Sequence, residues 1–324
     1  MLTAFARLAD GRVETADSLR QVAAFYAQEG SEVWVDLLAP TAEQLNVFGH
    51  IFGLEESSLE DCLSGEQRPR IDDFDDHIFV VIYGMFGGEA TPTIEPRKLS
   101  VFCSSRYLLT VHSEPMRSVQ AVIQRCGRHP QHVIGLGVDF VLHGILDGVV
   151  DRYAEVVDSY DNRLSDLEDE SLDPRVDESI LGKLIDLRRD LLQLRHIAVS
   201  HREMLAPIAR GEFNFIADAL ERRFSHVVDH LTKVVEEIDA HRELLNVVRD
   251  NYHSTLTGRM NQAMRTLTIF ATVMLPLTLI AGVYGMNVPL WPPQDQPWSF
   301  WTILAVMAGI GFVLLGFFRR RKWL

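Results

Sequence analysis

The spacing of apolar residues divides the chain into stretches with different periods. Up to about Phe140, short β-branched or aromatic runs at Val33–Leu38, Ile78–Met85, Leu99–Cys103 and Tyr107–Val111 have the length and side chains of strands. Helical spacing falls between them. Thr41–Phe52 opens with Thr41 and has Glu43 in its first turn; Ser57–Leu63 follows, and Met116–Cys126 comes after Pro115 at a first helical position. This mixture predicts an N-terminal α/β domain over residues 1–137. From Val138 the strand signals stop. Asp139–Asp169, Asp177–Met204 and the stretch from Phe213 onward keep a three-to-four spacing, with breaks at Asp173-Pro174 and at Pro207/Gly211. A helical hairpin is therefore expected over residues 138–212.

The third helical stretch is the longest. Ile216, Leu220, Phe224, Val227, Leu231, Val234, Ile238, Leu245, Val248, Tyr252 and Leu256 mark one face, with His241 filling the single wider gap. No proline separates Phe213 from Pro276, so residues 213–265 read as a stalk helix that runs on into the next segment. At 1.5 Å per residue it extends roughly 100 Å. A helix of that length needs partners along it, and lateral oligomerisation is expected.

What the stalk runs into is apolar. Leu267–Tyr284 holds 18 uncharged residues and Phe300–Phe318 holds 19, close to the roughly 20 needed to cross a hydrocarbon core of about 30 Å. They predict transmembrane helices over residues 266–284 and 300–318, joined by a loop at residues 285–299. Pro289, Pro292, Pro293 and Pro297 keep that loop from being helical throughout, and Trp291, Trp298 and Trp301 suit a membrane–water boundary.

Composition matters here because the average conceals a partition. With 47% hydrophobic and 23% charged residues the chain looks like an ordinary soluble protein. Yet Thr266–Phe318 contains no Lys or Arg and one acid, Asp295. Setting aside Asp295 from the 45 acids, and Arg319–Lys322 from the 31 Lys and Arg, leaves residues 1–265 at a net charge of −17. Disorder and a single soluble domain are both excluded. An acidic body argues against nucleic acid and favours cationic partners. Arg259 and Arg265 precede the first span, the basic tail at residues 319–324 follows the second, and the loop has no positive charge. Both termini and the acidic body are thus expected in the cytoplasm, with the loop outside. Met1–Ala9 lacks a basic region followed by an apolar core, so no cleaved leader is expected. Cys62, Cys103 and Cys126 are too few and too scattered for a disulfide framework or a CxxC site.

Chemistry concentrates at the outer end of the first span. In Tyr284-Gly285-Met286-Asn287 the glycine lets the backbone open and the Asn offers an uncharged amide oxygen. A ring of such oxygens suits a divalent cation that keeps its waters and must not be trapped; a Gly-x-Asn is also an ordinary helix stop. His226 and His230 are spaced i, i+4, as zinc ligands on a helix can be, or belong to a polar stalk face. Asp151–Asp173 carries nine acids against Arg152 and Arg163. Such a run is either a solvated face or a means of concentrating cations. No P-loop, GxSxG or HExxH is present, so no enzyme activity and no phosphate-driven pumping are expected.

The run Met260-Asn-Gln-Ala-Met-Arg-Thr-Leu-Thr-Ile-Phe-Ala-Thr-Val-Met-Leu-Pro-Leu-Thr-Leu-Ile-Ala-Gly-Val-Tyr-Gly-Met-Asn287, then a Pro/Trp-rich loop, a second span and a basic end closing in Lys-Trp-Leu, resembles the CorA family of divalent-cation channels. The resemblance is specific over Asp250–Leu324. It is looser but collinear earlier, as at Gln67-Arg-Pro-Arg-Ile-Asp-Asp-Phe-Asp-Asp-His-Ile-Phe79. It implies a cytoplasmic α/β domain, a long stalk helix and two C-terminal transmembrane helices, assembled as a funnel-shaped homopentamer in the inner membrane. It further implies that Gly285, Met286 and Asn287 form a selectivity filter and that Thr278 forms a threonine ring below it. Asn261, Met264, Leu267, Ala271, Leu275 and Gly282 match further pore-facing positions, and Asp250 an acidic ring at the cytoplasmic mouth. The steps between these pore positions are threes and fours, as one helical face requires. Met264, Leu267 and Leu275 are either apolar collars that gate by dewetting or plain interhelical packing.

Two departures qualify the match. The outer loop offers only Asp295. Where family members closed by intersubunit Mg2+ carry an upper-stalk Asp, an ungapped count reaches His226, with Asp229 one turn away. His226, Asp229 and His230 are thus candidate metal ligands. The transported and regulatory ions expected are Mg2+, with Co2+ or Ni2+ accepted, and no resident cofactor is expected. A Zn2+ transporter of the ZntB branch and a non-conducting membrane-anchored sensor or scaffold are the alternatives.

Overall fold

The computed structural model describes residues 1–65, 68–88, 91–286, 291–293, 296–321 and 323. It divides into two compact units: residues 1–168 with 178–247, and residues 169–177 with 248–324.

The first unit holds a seven-stranded sheet: β1 (Leu2–Arg7), β2 (Val13–Ala16), β3 (Glu32–Leu38), β4 (Arg70–Asp73), β5 (His77–Gly88), β6 (Thr91–Ser104) and β7 (Tyr107–His112), in the order β2-β1-β3-β7-β6-β5-β4. Only β3 and β7 pair in parallel, Val33 opposite Tyr107 and Leu37 opposite Val111. Each of the residues His77–Met85 of β5 is buried, as expected of a strand covered on both faces rather than half-exposed. The helices between the strands are α1 (Leu19–Tyr26), α2 (Ala42–Phe52), α3 (Glu56–Leu63) and α4 (Arg117–Arg128). At the start of α2 the Gln44 amide donates to Thr41 Oγ1 at 3.2 Å while the Gln44 side chain accepts from the Thr41 amide at 3.2 Å. This reciprocal pair satisfies two donors that a bare helix end leaves open.

Three long helices follow, α5 (Val138–Leu172), α6 (Ser179–Ala209) and α7 (Asp218–Tyr284). Within the first unit, Tyr153, Val156, Val157, Tyr160 and Leu164 of α5, Leu187, Leu191, Leu194 and Ala198 of α6, and Phe224, Val227, Leu231 and Ile238 of α7 are all buried. One sheet residue ties this layer to the strands. The Tyr83 amide of β5 donates to His201 Nε2 at 3.1 Å, and its carbonyl accepts from Tyr153 Oη at 2.8 Å. Burial pushes the His201 pKa down to about 3, so the ring is neutral and able to accept.

The structure corrects several sequence-based boundaries. α4 begins at Arg117 after a Met116 cap, leaving Pro115 outside the helix. α6 continues through Pro207 to Ala209. α7 begins at Asp218, not Phe213. Phe213 and Ile216 are buried in the connection before it, so their apolar spacing imitated a helix that had not yet started. β1, β2, α1 and β4 were not anticipated; they are short, and β1 pairs with both β2 and β3.

The second unit contains the end of α5, α7 from Val248 and α8 (Pro297–Arg320). Thr255 Oγ1 donates to the Ser171 carbonyl at 3.0 Å, fastening the α5 terminus to α7. Both α7 and α8 contain stretches long and apolar enough to cross a membrane. α7 passes Pro276 without interruption.

Candidate functional site

The character of α7 changes after Tyr252, which is 2% exposed. From His253 to Met286 no residue is buried within the chain. Asn261, Met264, Leu267, Ala271, Leu275, Thr278 and Gly282 lie three or four apart on this helix and therefore share a face. Along it Met264, Leu267 and Leu275 are 61%, 71% and 70% exposed. An open groove of about 710 Å³ runs beside Ala271, Leu275, Thr278, Gly282 and Met286. Its one side-chain oxygen is that of Thr278. The Thr278 hydroxyl donates to the Met274 carbonyl at 2.8 Å, which spends its proton and leaves the oxygen lone pairs facing outward as acceptors. The face thus offers neutral oxygen, thioether and hydrocarbon, without a charge.

The helix closes at its last turn. The Gly285 amide is shared between the carbonyls of Ala281 at 2.9 Å and Gly282 at 3.2 Å, and the Met286 amide reaches Val283 at 3.2 Å. Tyr284 Oη donates to the Trp291 carbonyl at 2.6 Å, which ties Trp291 to the last turn of the helix. Gly285 and Met286 of the expected filter stand at this terminus; Asn287 lies outside the described residues.

The other candidates are scattered along α7. Asp250 is exposed and pairs with its neighbour Arg249 at 3.0 Å. His226, Asp229 and His230 are exposed in the first unit, where His230 Nδ1 lies 3.5 Å from Asp151 Oδ1 on α5. They do not converge: among the described residues no three His, Cys, Asp or Glu are grouped to hold a metal ion.

The acidic face of α5 has work within the fold. Asp161 meets His241 Nε2 of α7 at 2.7 Å and Asp151 meets His230, so both pair across to α7. Burial, reinforced by the charge of Asp147, raises the Asp151 carboxyl above its ordinary value, and His230 opposes that. On α7 Asp239 receives Arg195 of α6 and Arg242 of its own helix, each at 2.7 Å. That pairing holds its carboxyl below the usual range.

Polar groups buried in the sheet escaped sequence reasoning. Asp36 Oδ1 accepts from Thr110 Oγ1 at 2.6 Å and meets His112 Nε2 at 3.0 Å, while Trp34 Nε1 donates to Thr110 Oγ1 at 3.3 Å. Burial acts to lower the His112 pKa, but the Asp36 carboxylate outweighs it and leaves the pKa raised. Asp36 and His112 are 76 residues apart, and only the parallel pairing of β3 with β7 brings them together. The three cysteines are free thiols, with Cys103 and Cys126 buried. Burial pushes the Cys62 thiol up to about 12, which makes it inert.

Known proteins share this arrangement. Residues 29–320 match the family model described as CorA-like Mg2+ transporter protein. The putative metal ion transporter YfjQ of Bacillus subtilis is 30% identical over 292 residues, spanning 90% of this chain and 89% of the relative. The cobalt/magnesium transport protein CorA of Thermotoga maritima is 28% identical over 277 residues, 85% of this chain and 78% of the relative. The CorA magnesium transporter structure from Methanocaldococcus jannaschii superposes with a TM-score of 0.84 at 23% identity, covering 99% of this chain and 98% of that one. A family match spanning both units, together with a relative aligned over nine-tenths of the chain, places this protein in the CorA-like family of metal-ion transporters.

Proposed function

We propose that this protein conducts divalent cations across the cytoplasmic membrane, Mg2+ first, with Co2+ or Ni2+ accepted. Several copies, five by family resemblance, set their α7 faces around a common path. The supporting observation is the uncovered face from Asn261 to Gly282, apolar apart from Asn261 and Thr278 and lacking any charge. An isolated helix has no use for such a face in water. Lining a path between copies, it supplies a belt of threonine oxygens and collars of Met264, Leu267 and Leu275 that close by dewetting. Gly285, Met286 and Asn287 select the ion at the outer end, where neutral oxygens can hold a cation that retains its waters. Asp250 gathers cations at the inner mouth, and both termini face the cytoplasm. The membrane potential then drives entry at about 2.3 kcal/mol per charge per 100 mV.

Flux into proteoliposomes tests the assignment. Mg2+ uptake should exceed Zn2+ uptake and be indifferent to a pH gradient, and Asn287→Ala should abolish the discrimination among ions. Zn2+ uptake that depends on a proton gradient would instead favour the zinc branch. Absence of any flux from an assembled oligomer would leave only a sensor or scaffold role.

A further inference from the structure

Beyond α8 the chain turns back on itself. The Trp323 amide donates to the Phe318 carbonyl at 3.0 Å, and the indole stacks on the Phe318 ring with centroids 5.7 Å apart and planes 27° apart. Phe318 is only 6% exposed, so this stack is anchored. Arg265 of α7 lies over the outer side of the arrangement, its Cζ 5.6 Å from the Trp323 ring. Arg321 lies over Phe317 at 5.7 Å. Phe317, Phe318 and Trp323 thus form an aromatic ledge at the C-terminal end of α8, reached from within α7 by Arg265, and Arg319 and Arg320 adjoin it.

These arginines differ from several that the first unit ties to acids. Arg70, Arg97, Arg195, Arg210 and Arg242 each reach a carboxylate. Arg265, Arg319, Arg320 and Arg321 are exposed, and among the described residues none has a carboxylate partner. From Asn251 to Leu324 the only acid is Asp295, which precedes α8. A topology signal alone requires positive charge on that side, but not a grip on Arg265 by the tail's tryptophan. A guanidinium stacked on a ring keeps its N–H edge free, and that edge matches the paired oxygens of a phosphate. About one helical turn before the ledge on α8, Phe312 and Val313 are 77% and 72% exposed, offering hydrocarbon to an acyl chain.

We propose that Arg265, held by Trp323, binds the phosphate headgroup of an anionic phospholipid in the cytoplasmic leaflet together with Arg319, Arg320 and Arg321. The inference rests on the membrane placement proposed above. A lipid fits better than free phosphate because the cationic edge continues directly into exposed apolar surface. Binding joins the tail to the start of the α7 span and thereby steadies the inner end of the conducting face.

The test uses the full chain purified in detergent and offered equimolar dioleoylphosphatidylglycerol and dioleoylphosphatidylcholine, with retained lipid read by native mass spectrometry. Phosphatidylglycerol should be preferred. Arg265→Gln should lower its retention about fivefold, the worth of one cation near an anionic headgroup. Trp323→Ala should lower it as well, although both variants keep the tail arginines that set topology. Equal retention of the two lipids, variants that retain phosphatidylglycerol as the parent does, or its displacement by millimolar inorganic phosphate would each overturn the proposal. Release of the chain from membranes by alkaline carbonate would instead overturn the membrane placement itself.

Discussion

The two units use the same kinds of side chain to opposite ends. In the first, Trp34, Phe48, Phe79, Phe102, Tyr153, Tyr160 and Phe224 are less than 2% exposed. In the second, Leu267, Phe270, Leu275, Phe300, Phe312 and Val313 are more than 60% exposed. α7 belongs to both and shows the change within one helix. Up to Tyr252 its apolar residues recur on one buried stripe, and beyond it none is buried. Apolar content therefore does not by itself make a core. A stripe finds one when other elements of the same chain cover it, whereas an all-round apolar helix must be completed by lipid or by further copies.

Truncating a side chain in each unit sharpens that contrast. Phe224→Ala removes a ring that is 0% exposed and should cost about 3–5 kcal/mol, seen as lost amide-exchange protection throughout the first unit. Leu275→Ala, at a position 70% exposed, should leave that protection intact and alter flux instead. Equal destabilisation by both would erase the distinction.

The next effect concerns pH. His201 titrates at about 3 in the fold, below its ordinary value of 6.5. An unfolded chain therefore takes up this proton first, and the stability owed to the neutral ring is full above pH 6.5 and falls as pH drops toward 3. The loss should approach roughly 4 kcal/mol across that window. His201→Gln, which keeps an acceptor for the Tyr83 amide, should flatten this part of the curve. An unchanged acid profile in that variant would show that another group carries the dependence.

The smallest change in stability is expected at Asp250. Its pairing with Arg249 is exposed, so Asp250→Asn should move stability by less than about 1 kcal/mol. Flux at low ionic strength should nevertheless fall, and salt should narrow the difference from the parent. Unchanged flux at every ionic strength would remove Asp250 from the mouth.

Much of the fold was legible because its signals are local. The strands β3, β5 and β7 are short apolar runs, and the spacing from Leu220 to Tyr252 is that of a one-sided helix. Thr41, with Glu43 in the first turn, marks the start of α2. The candidate face from Asn261 to Gly282 came from the family resemblance, and the spacing of threes and fours adds only that its members share one side of a helix. The start of α7 misled because Phe213 and Ile216 are buried in a connection that keeps helical spacing by chance of packing. Asp36 with His112, and Tyr83 with His201, were invisible because 76 and 118 residues separate the partners.

By itself the sequence determined the division into an acidic α/β and helical body, an apolar hairpin with a single charge and a basic end. Periodicity and charge are written residue by residue and need no partner to take effect. Tertiary structure alone decided which acids of α5 are tied to histidines of α7, and that Trp323 returns to Arg265. Each depends on distances between segments remote in the chain, which packing sets and spacing does not encode.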